Sequence, residues 1–193
     1  NSASSVAFNC VKKIANKIPV FNVINPVVEN IIQVAQSGNI GVIGTKATIQ
    51  SGVYEKEINT ISNSVKVSSL ATPLLAPMIE EGFMNEEISS TIIANYLSNK
   101  KLENIDKLIL ACTHYPLIHQ EIKDYYNGKV KVVDSATIIA KFITQQLKNK
   151  SLLKSSKATK DYFYVSNYTV SFGKSARFFF KEDITLEEIS IFD

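Results

Sequence analysis

The stretch Leu108-Ile109-Leu110-Ala111-Cys112-Thr113-His114-Tyr115-Pro116-Leu117-Ile118 limits the fold more than any other part of the chain. An apolar run stops at a cysteine, two polar residues follow, and a proline opens a segment of helical spacing. Proline suits a first helical turn, where its missing N–H leaves no bond unmade. Ile109, Leu110 and Ala111 therefore read as a buried parallel strand with Cys112 at its carboxyl end. Open α/β sheets bind ligands in the crevice outside those strand ends. The free N–H groups of the next helix make an anion seat there. A thiol in that field, beside an imidazole, is in a setting that lowers its pKa. The competing reading is that Cys112 is a small buried hydrophobe, as most cysteines at strand ends are.

Taken in order, Ser2 to Lys17 has helical spacing, with Val6, Cys10, Ile14 and Lys17 on one face and Ala3, Ala7 and Val11 beside them. Cys10 belongs to that stripe and is expected to pack. Pro19 to Ile24 reads as a short strand ended by Asn25-Pro26. A helix over Val27 to Gln36 with Gly38 as C-cap follows, then a strand over Ile40 to Gly44. Glycines 38, 41 and 44 match neither the dinucleotide fingerprint nor a P-loop, so Lys46 is not a phosphate lysine. Thr45 and Thr48 are placed to cap a helix running through Ile58, and their hydroxyls suit a carboxylate equally well. Further expectations are a strand over Val65 to Leu70 and helices over Leu74–Glu81 and Asn85–Asn99. Beyond the Cys112 strand, a helix over Pro116–Tyr126 should carry His119 facing solvent. A strand over Val130–Val133 and an Asp134-capped helix over Thr137–Leu147 come next. Lys148 to Lys160 is the best linker candidate. Asp161–Val165 and Tyr168–Phe172 read as a hairpin across Ser166-Asn167, with a short helix over Ser175–Phe180. Strands alternating with helices from Pro19 to Leu147 argue for an α/β fold with a parallel sheet.

Composition narrows the function classes. A chain of 193 residues with 45% hydrophobic and 20% charged content is that of an ordinary globular protein with a proper core. The net charge of +3 is modest, and Lys12-Lys13 and Lys100-Lys101 are too short for a nucleic-acid patch. Arg177 is the only arginine, which argues against guanidinium phosphate clamps. No apolar run reaches the length of a membrane span, and the opening residues lack the pattern of a signal peptide. Cys10 and Cys112 have neither disulfide nor metal-ligand spacing, so a reducing cytoplasm is expected.

Ala111-Cys112-Thr113-His114-Tyr115-Pro116-Leu117-Ile118 resembles the second cysteine motif of the glutamate racemases, within the aspartate/glutamate racemase superfamily. Sister aspartate racemases usually carry a Glu where this chain has His114. Gly44-Thr45-Lys46-Ala47-Thr48-Ile49 resembles the family's strand-to-helix turn. Asn1-Ser2-Ala3-Ser4 resembles the Asn-Thr-Ala-Ser that follows its first cysteine, with Ser2 in place of the threonine. The resemblance implies two similar α/β lobes with the active site in the cleft between them. Residues 22–133 would form one complete lobe, and 1–21 with 134–193 would belong to the other.

The resemblance further implies cofactor-independent interconversion of L- and D-glutamate, supplying D-glutamate for peptidoglycan, in a cytoplasmic homodimer without metal or pyridoxal. Two cysteines flank the substrate, one as thiolate and one as thiol. Cys112 would act on L-glutamate, His114 would assist it or bind the amino end, and Thr113 would hold a carboxylate. Asn1, Ser2, Thr45 and Thr48 match positions that contact substrate. Glu80, or adjacent Glu81, matches a glutamate that would orient His114, although a helical glutamate is usually only a solvated charge. The first cysteine should directly precede the position of Asn1. The expectation is that a part of about 70 residues, small beside a typical domain, is missing before Asn1. On that expectation the chain alone, with a base on only one face of the substrate, does not racemise glutamate. An aspartate or hydantoin-type racemase and a non-catalytic carboxylate-binding lobe are the alternatives.

Overall fold

In the computed structural model, which describes residues 1–34, 37–84, 86–154, 156, 160–180 and 183–191, strands and helices alternate around a parallel sheet. The helices are α1 (Ser2–Ile14), α2 (Asn25–Val34), α3 (Lys46–Gln50), α4 (Val53–Ile61), α5 (Leu75–Glu80), α6 (Glu87–Leu97), α7 (His119–Tyr126), α8 (Ser135–Asn149) and α9 (Val170–Phe180). The main sheet holds β1 (Gly38–Gly44), β2 (Val65–Ala71), β3 (Lys107–Ala111) and β4 (Lys131–Val133) in the order β2-β1-β3-β4, every pair parallel. A separate parallel pair joins β5 (Phe163–Val165) to β6 (Leu186–Glu188).

The central strands are apolar on both faces because both are covered, as parallel sheets require. Ile43, Leu108 and Leu110 enter one core with Leu75 and Ile79 of α5, Ile93 of α6 and Ile122 of α7. Ile40, Val42 and Ile109 enter the opposite core with Val27, Val28 and Ile31 of α2 and Tyr54 and Ile58 of α4. Ile138 and Ile139 of α8 pack against this second core, although the sequence reading placed them outside the 22–133 lobe. Gly44 pairs with Ala71 on one side and Ala111 on the other. The next residues in chain order after the ends of β1 and β2 (Thr45, Thr72) and after β3 (Cys112) therefore leave the sheet at a common level.

Several expectations are corrected. Residues 19–24 are not a strand. The Asn22 side chain accepts from the backbone N–H groups of Ile24 and Asn25, so this segment serves as the entry to α2. Gly38 does not cap that helix; it opens β1 at φ 124°. Gln36 lies outside the described residues, as does Asn85. The single helix expected through Ile58 is two, α3 and α4, broken at Gly52 in the left-handed region. α6 starts instead at a capping box formed by Glu86 and Ser89. The segment after Pro116 begins as a 3-10 turn over Tyr115–Ile118 before α7. His119 there is half-buried and does not stand free in solvent.

Tyr168–Phe172 is no strand. Its second half starts α9, and β5 takes its partner from β6 beyond the helix instead of from a hairpin. The Lys148–Lys160 linker begins inside α8 and includes residues outside the described set. α1 ends at Ile14 and has no buried residue; Cys10 is exposed and does not pack. Its apolar stripe (Val6, Val11, Ile14) finds no cover among the described residues. No described helix is long and apolar enough to cross a membrane.

Candidate active site

Cys112 follows β3 directly and is 5% exposed. Tyr115, directly after the polar pair, is fully buried and anchors this loop. Its phenol lies 2.7 Å from Thr72 Oγ1 and 3.2 Å from the Thr72 carbonyl. Thr72, itself buried, donates its backbone N–H to the Gly44 carbonyl at 2.9 Å and its hydroxyl to the same oxygen at 3.3 Å. This buried network ties the ends of β1 and β2 to the loop that carries the thiol, and every polar group in it has a partner, as burial demands.

The loop and the end of α5 bring three groups together. His114 Nδ1 stands 3.8 Å from Cys112 Sγ, and His114 Nε2 stands 3.0 Å from Glu80 Oε1 at the end of α5. An imidazole that donates its Nε2–H to a carboxylate carries its lone pair on Nδ1 when neutral. That lone pair faces the thiol and can take its proton, the resulting imidazolium being held by Glu80. Glu81 does not share this place; it accepts from the Ser171 hydroxyl at 3.4 Å. Thr113 is exposed beside them.

The expectation of a thiol pKa lowered by its surroundings is corrected. Burial pushes the Cys112 thiol above its ordinary value; the backbone N–H groups of His114 and Tyr115 pull the other way without cancelling it. The strand-end amides do face the sulfur, but desolvation outweighs them.

On the neighbouring strand end, Ser2, Thr45 and Thr48 form a ring of hydroxyls. The oxygens lie 2.8 Å apart between Ser2 and Thr45, 3.2 Å between Ser2 and Thr48, and 3.1 Å between Thr45 and Thr48. The capping expectation holds for Thr45, whose Oγ1 accepts from Thr48 N at 3.3 Å, and is corrected for Thr48, which stands buried inside α3. Three mutually bonded hydroxyls can turn their protons outward together, which suits a carboxylate. Asn1 adjoins them, its Oδ1 accepting from the Tyr54 phenol. Thr45 and Cys112 therefore leave adjoining strand ends, with Thr113 and His114 on the loop after Cys112, Thr48 in α3, Glu80 at the end of α5, and Asn1 and Ser2 brought in by α1.

Sequence reasoning missed Tyr54, Thr72 and Tyr115, and missed that α9 comes alongside. Phe172 and Phe179 of α9 join Glu80, His114 and Leu117 around an apolar cavity of about 210 Å³. Thr72 could have been found from its place directly after β2, as Thr45 was from its place after β1. The two tyrosines and the phenylalanines of α9 carry no such mark. Among the described residues no cluster suited to a metal ion occurs.

Hydroxyl donors and a thiol–imidazole–carboxylate line at the ends of parallel strands suit proton transfer next to a carboxylate. The matching family model spans residues 1–143, and the chain belongs to that family, the Asp/Glu/Hydantoin racemases. Within it, curated proteins similar to this chain include glutamate racemases. That of Geobacter metallireducens is 36% identical over 173 residues, which is 89% of this chain and 64% of the relative. That of Chlorobium phaeobacteroides is 32% identical over 185 residues, 95% of this chain and 68% of the relative. The chain thus spans about two thirds of the length of these curated relatives. The crystal structure of glutamate racemase from Francisella tularensis in complex with D-glutamate superposes with a TM-score of 0.88 at 33% identity, covering 98% of this chain and 70% of that one.

Proposed function

We propose that the protein is a cofactor-independent glutamate racemase, an isomerase that supplies D-glutamate for peptidoglycan. The observation that carries the reading is the line Cys112–His114–Glu80 beside the Ser2–Thr45–Thr48 hydroxyl ring. The Cα–H bond of an amino acid is weakly acidic, so a base must meet it while donors hold the charge that develops on the carboxylate. Cys112 as thiolate takes the Cα proton from L-glutamate. The bonding pair stays on carbon, delocalised into the α-carboxylate, and a thiol on the opposite face returns a proton there. In the reverse direction Cys112 is the donor. The resemblance puts the opposing thiol immediately before the position of Asn1.

His114 relays the Cys112 proton and Glu80 holds the imidazole. Thr113, Asn1, Ser2, Thr45 and Thr48 supply the hydrogen bonds to substrate. The two-lobe division, 22–133 against 1–21 with 134–193, belongs to the same proposal. So does a homodimer, the commonest closed assembly of soluble chains, and so does a reducing cytoplasm, which suits two free thiols.

The test is a coupled L-to-D conversion assay on the full-length natural polypeptide, with exchange of the Cα proton in deuterated water. Glutamate should be turned over and aspartate should not. Cys112→Ala should lose about a hundred- to ten-thousandfold in kcat, the usual worth of a positioned acid/base group. Full activity in that variant, or preference for aspartate, overturns the reading.

A further inference from the structure

Tyr54 has no part in the proton relay, yet its hydroxyl is committed to the site. The side chain rises from the first turn of α4 into the core under the sheet and is 2% exposed. At the end of that ring the phenol donates to Asn1 Oδ1 at 2.5 Å. The phenol also lies within the electrostatic reach of Cys112. Tyr54 therefore reaches the candidate site through Asn1.

A carboxamide has two ends of opposite character, and they are nearly the same in size. Nothing in its shape decides which end faces a ligand. Here the phenol decides it. A buried hydroxyl must place its proton on an acceptor, so Oδ1 is drawn down onto Tyr54. Nδ2, which has no hydrogen-bond partner among the described residues, is left as a donor on the side away from Tyr54. The opposite rotamer would turn an acceptor toward a carboxylate, where it repels.

Resting on the proposed function, we propose that Tyr54 is a positioning residue that locks the carboxamide of Asn1 with its NH₂ group toward the glutamate carboxylate. The lock is made before substrate arrives, so it contributes to binding more than to proton transfer. Tyr54→Phe keeps the buried ring and removes only the proton that makes the choice. Asn1→Ala removes the group on which it acts.

The experiment is a double-mutant cycle on the full-length natural polypeptide, read twice: as KM against kcat for glutamate, and as D-glutamate binding by calorimetry. Tyr54→Phe alone should raise KM and weaken D-glutamate binding about tenfold, the worth of one hydrogen bond, with kcat changed less than about twofold. In the Asn1→Ala background the same substitution should change neither. An unchanged KM and affinity in Tyr54→Phe overturns the proposal. So does an equal loss in both backgrounds, because the phenol would then act on the fold and not on Asn1. A wild type that binds D-glutamate without racemising it sinks the proposed function, while the binding cycle still decides the role of Tyr54.

Discussion

Cys112 and Cys10 are the same side chain in opposite surroundings, one 5% exposed at a strand end and the other on the open face of α1. Alkylation should reflect that difference. At neutral pH, iodoacetamide should label Cys10 well before Cys112, as peptide mass mapping would show. Saturating glutamate should slow labelling of Cys112 only. The raised thiol pKa has a sign to be followed through. Its neutral form is favoured in the folded state, so the stability it lends is complete at low pH and is lost as pH rises through the raised value. The thiolate that the proposed reaction requires appears over that same rise. kcat/KM should therefore climb with pH beyond the ordinary thiol value of about 8.5, measured as a pH–rate profile. Glu80 is half-exposed where it meets His114. Glu80→Gln should accordingly cost only about three- to tenfold in kcat, the worth of one hydrogen bond, with KM little changed.

At the scale of elements, the strand-to-helix turns carry the candidate site; Gly44 shapes one of them and Gly52 the break between α3 and α4. A methyl on Gly44 would meet the backbone carbonyl of Ala111 at 3.0 Å, one residue from both Thr45 and Cys112. Gly44→Ala should destabilise the chain by about 1–3 kcal/mol through overpacking and reduce activity in the same variant. Gly52 has open space around it, and its cost is conformational alone: Gly52→Ala should lower stability by about 1 kcal/mol without touching kcat, in denaturant unfolding. These turns were largely legible from sequence. A continuous apolar run followed by a polar or thiol residue marks a covered strand end, and Asp134 before Ser135-Ala136 gave its helix start through its own side chain. Residues 19–24 and 168–172 misled because β-branched and aromatic content measures fit to a half-buried surface, not pairing. In the first case Asn22 spent its carbonyl on a helix entry, and in the second the partner for β5 lay beyond α9. Tyr54 and Tyr115 stayed hidden because nothing local distinguishes a tyrosine whose hydroxyl meets a distant residue from one that merely fills a core.

At the scale of the molecule, a thin sheet is clamped between two apolar cores, and tyrosines stand in or beside both. Burial raises the phenols of Tyr54 and Tyr115 strongly and that of Tyr126 to about 12. Their neutral forms contribute stability in full below the ordinary tyrosine value of about 10, and it is lost as pH rises through the raised ones. Alkaline titration followed by phenolate absorbance should show these three ionising only as circular dichroism reports unfolding. The shared level at which β1, β2 and β3 end has a different kind of consequence. Adjacent strands stand about 4.8 Å apart, so the three exits are spaced like marks on a ruler about 10 Å long. Substitutions within the strands cannot alter that spacing, because the hydrogen-bond ladder sets it. A change of ligand is then met by changing which side chain stands on each mark. The sheet offers evolution a fixed scale and leaves only the lettering free.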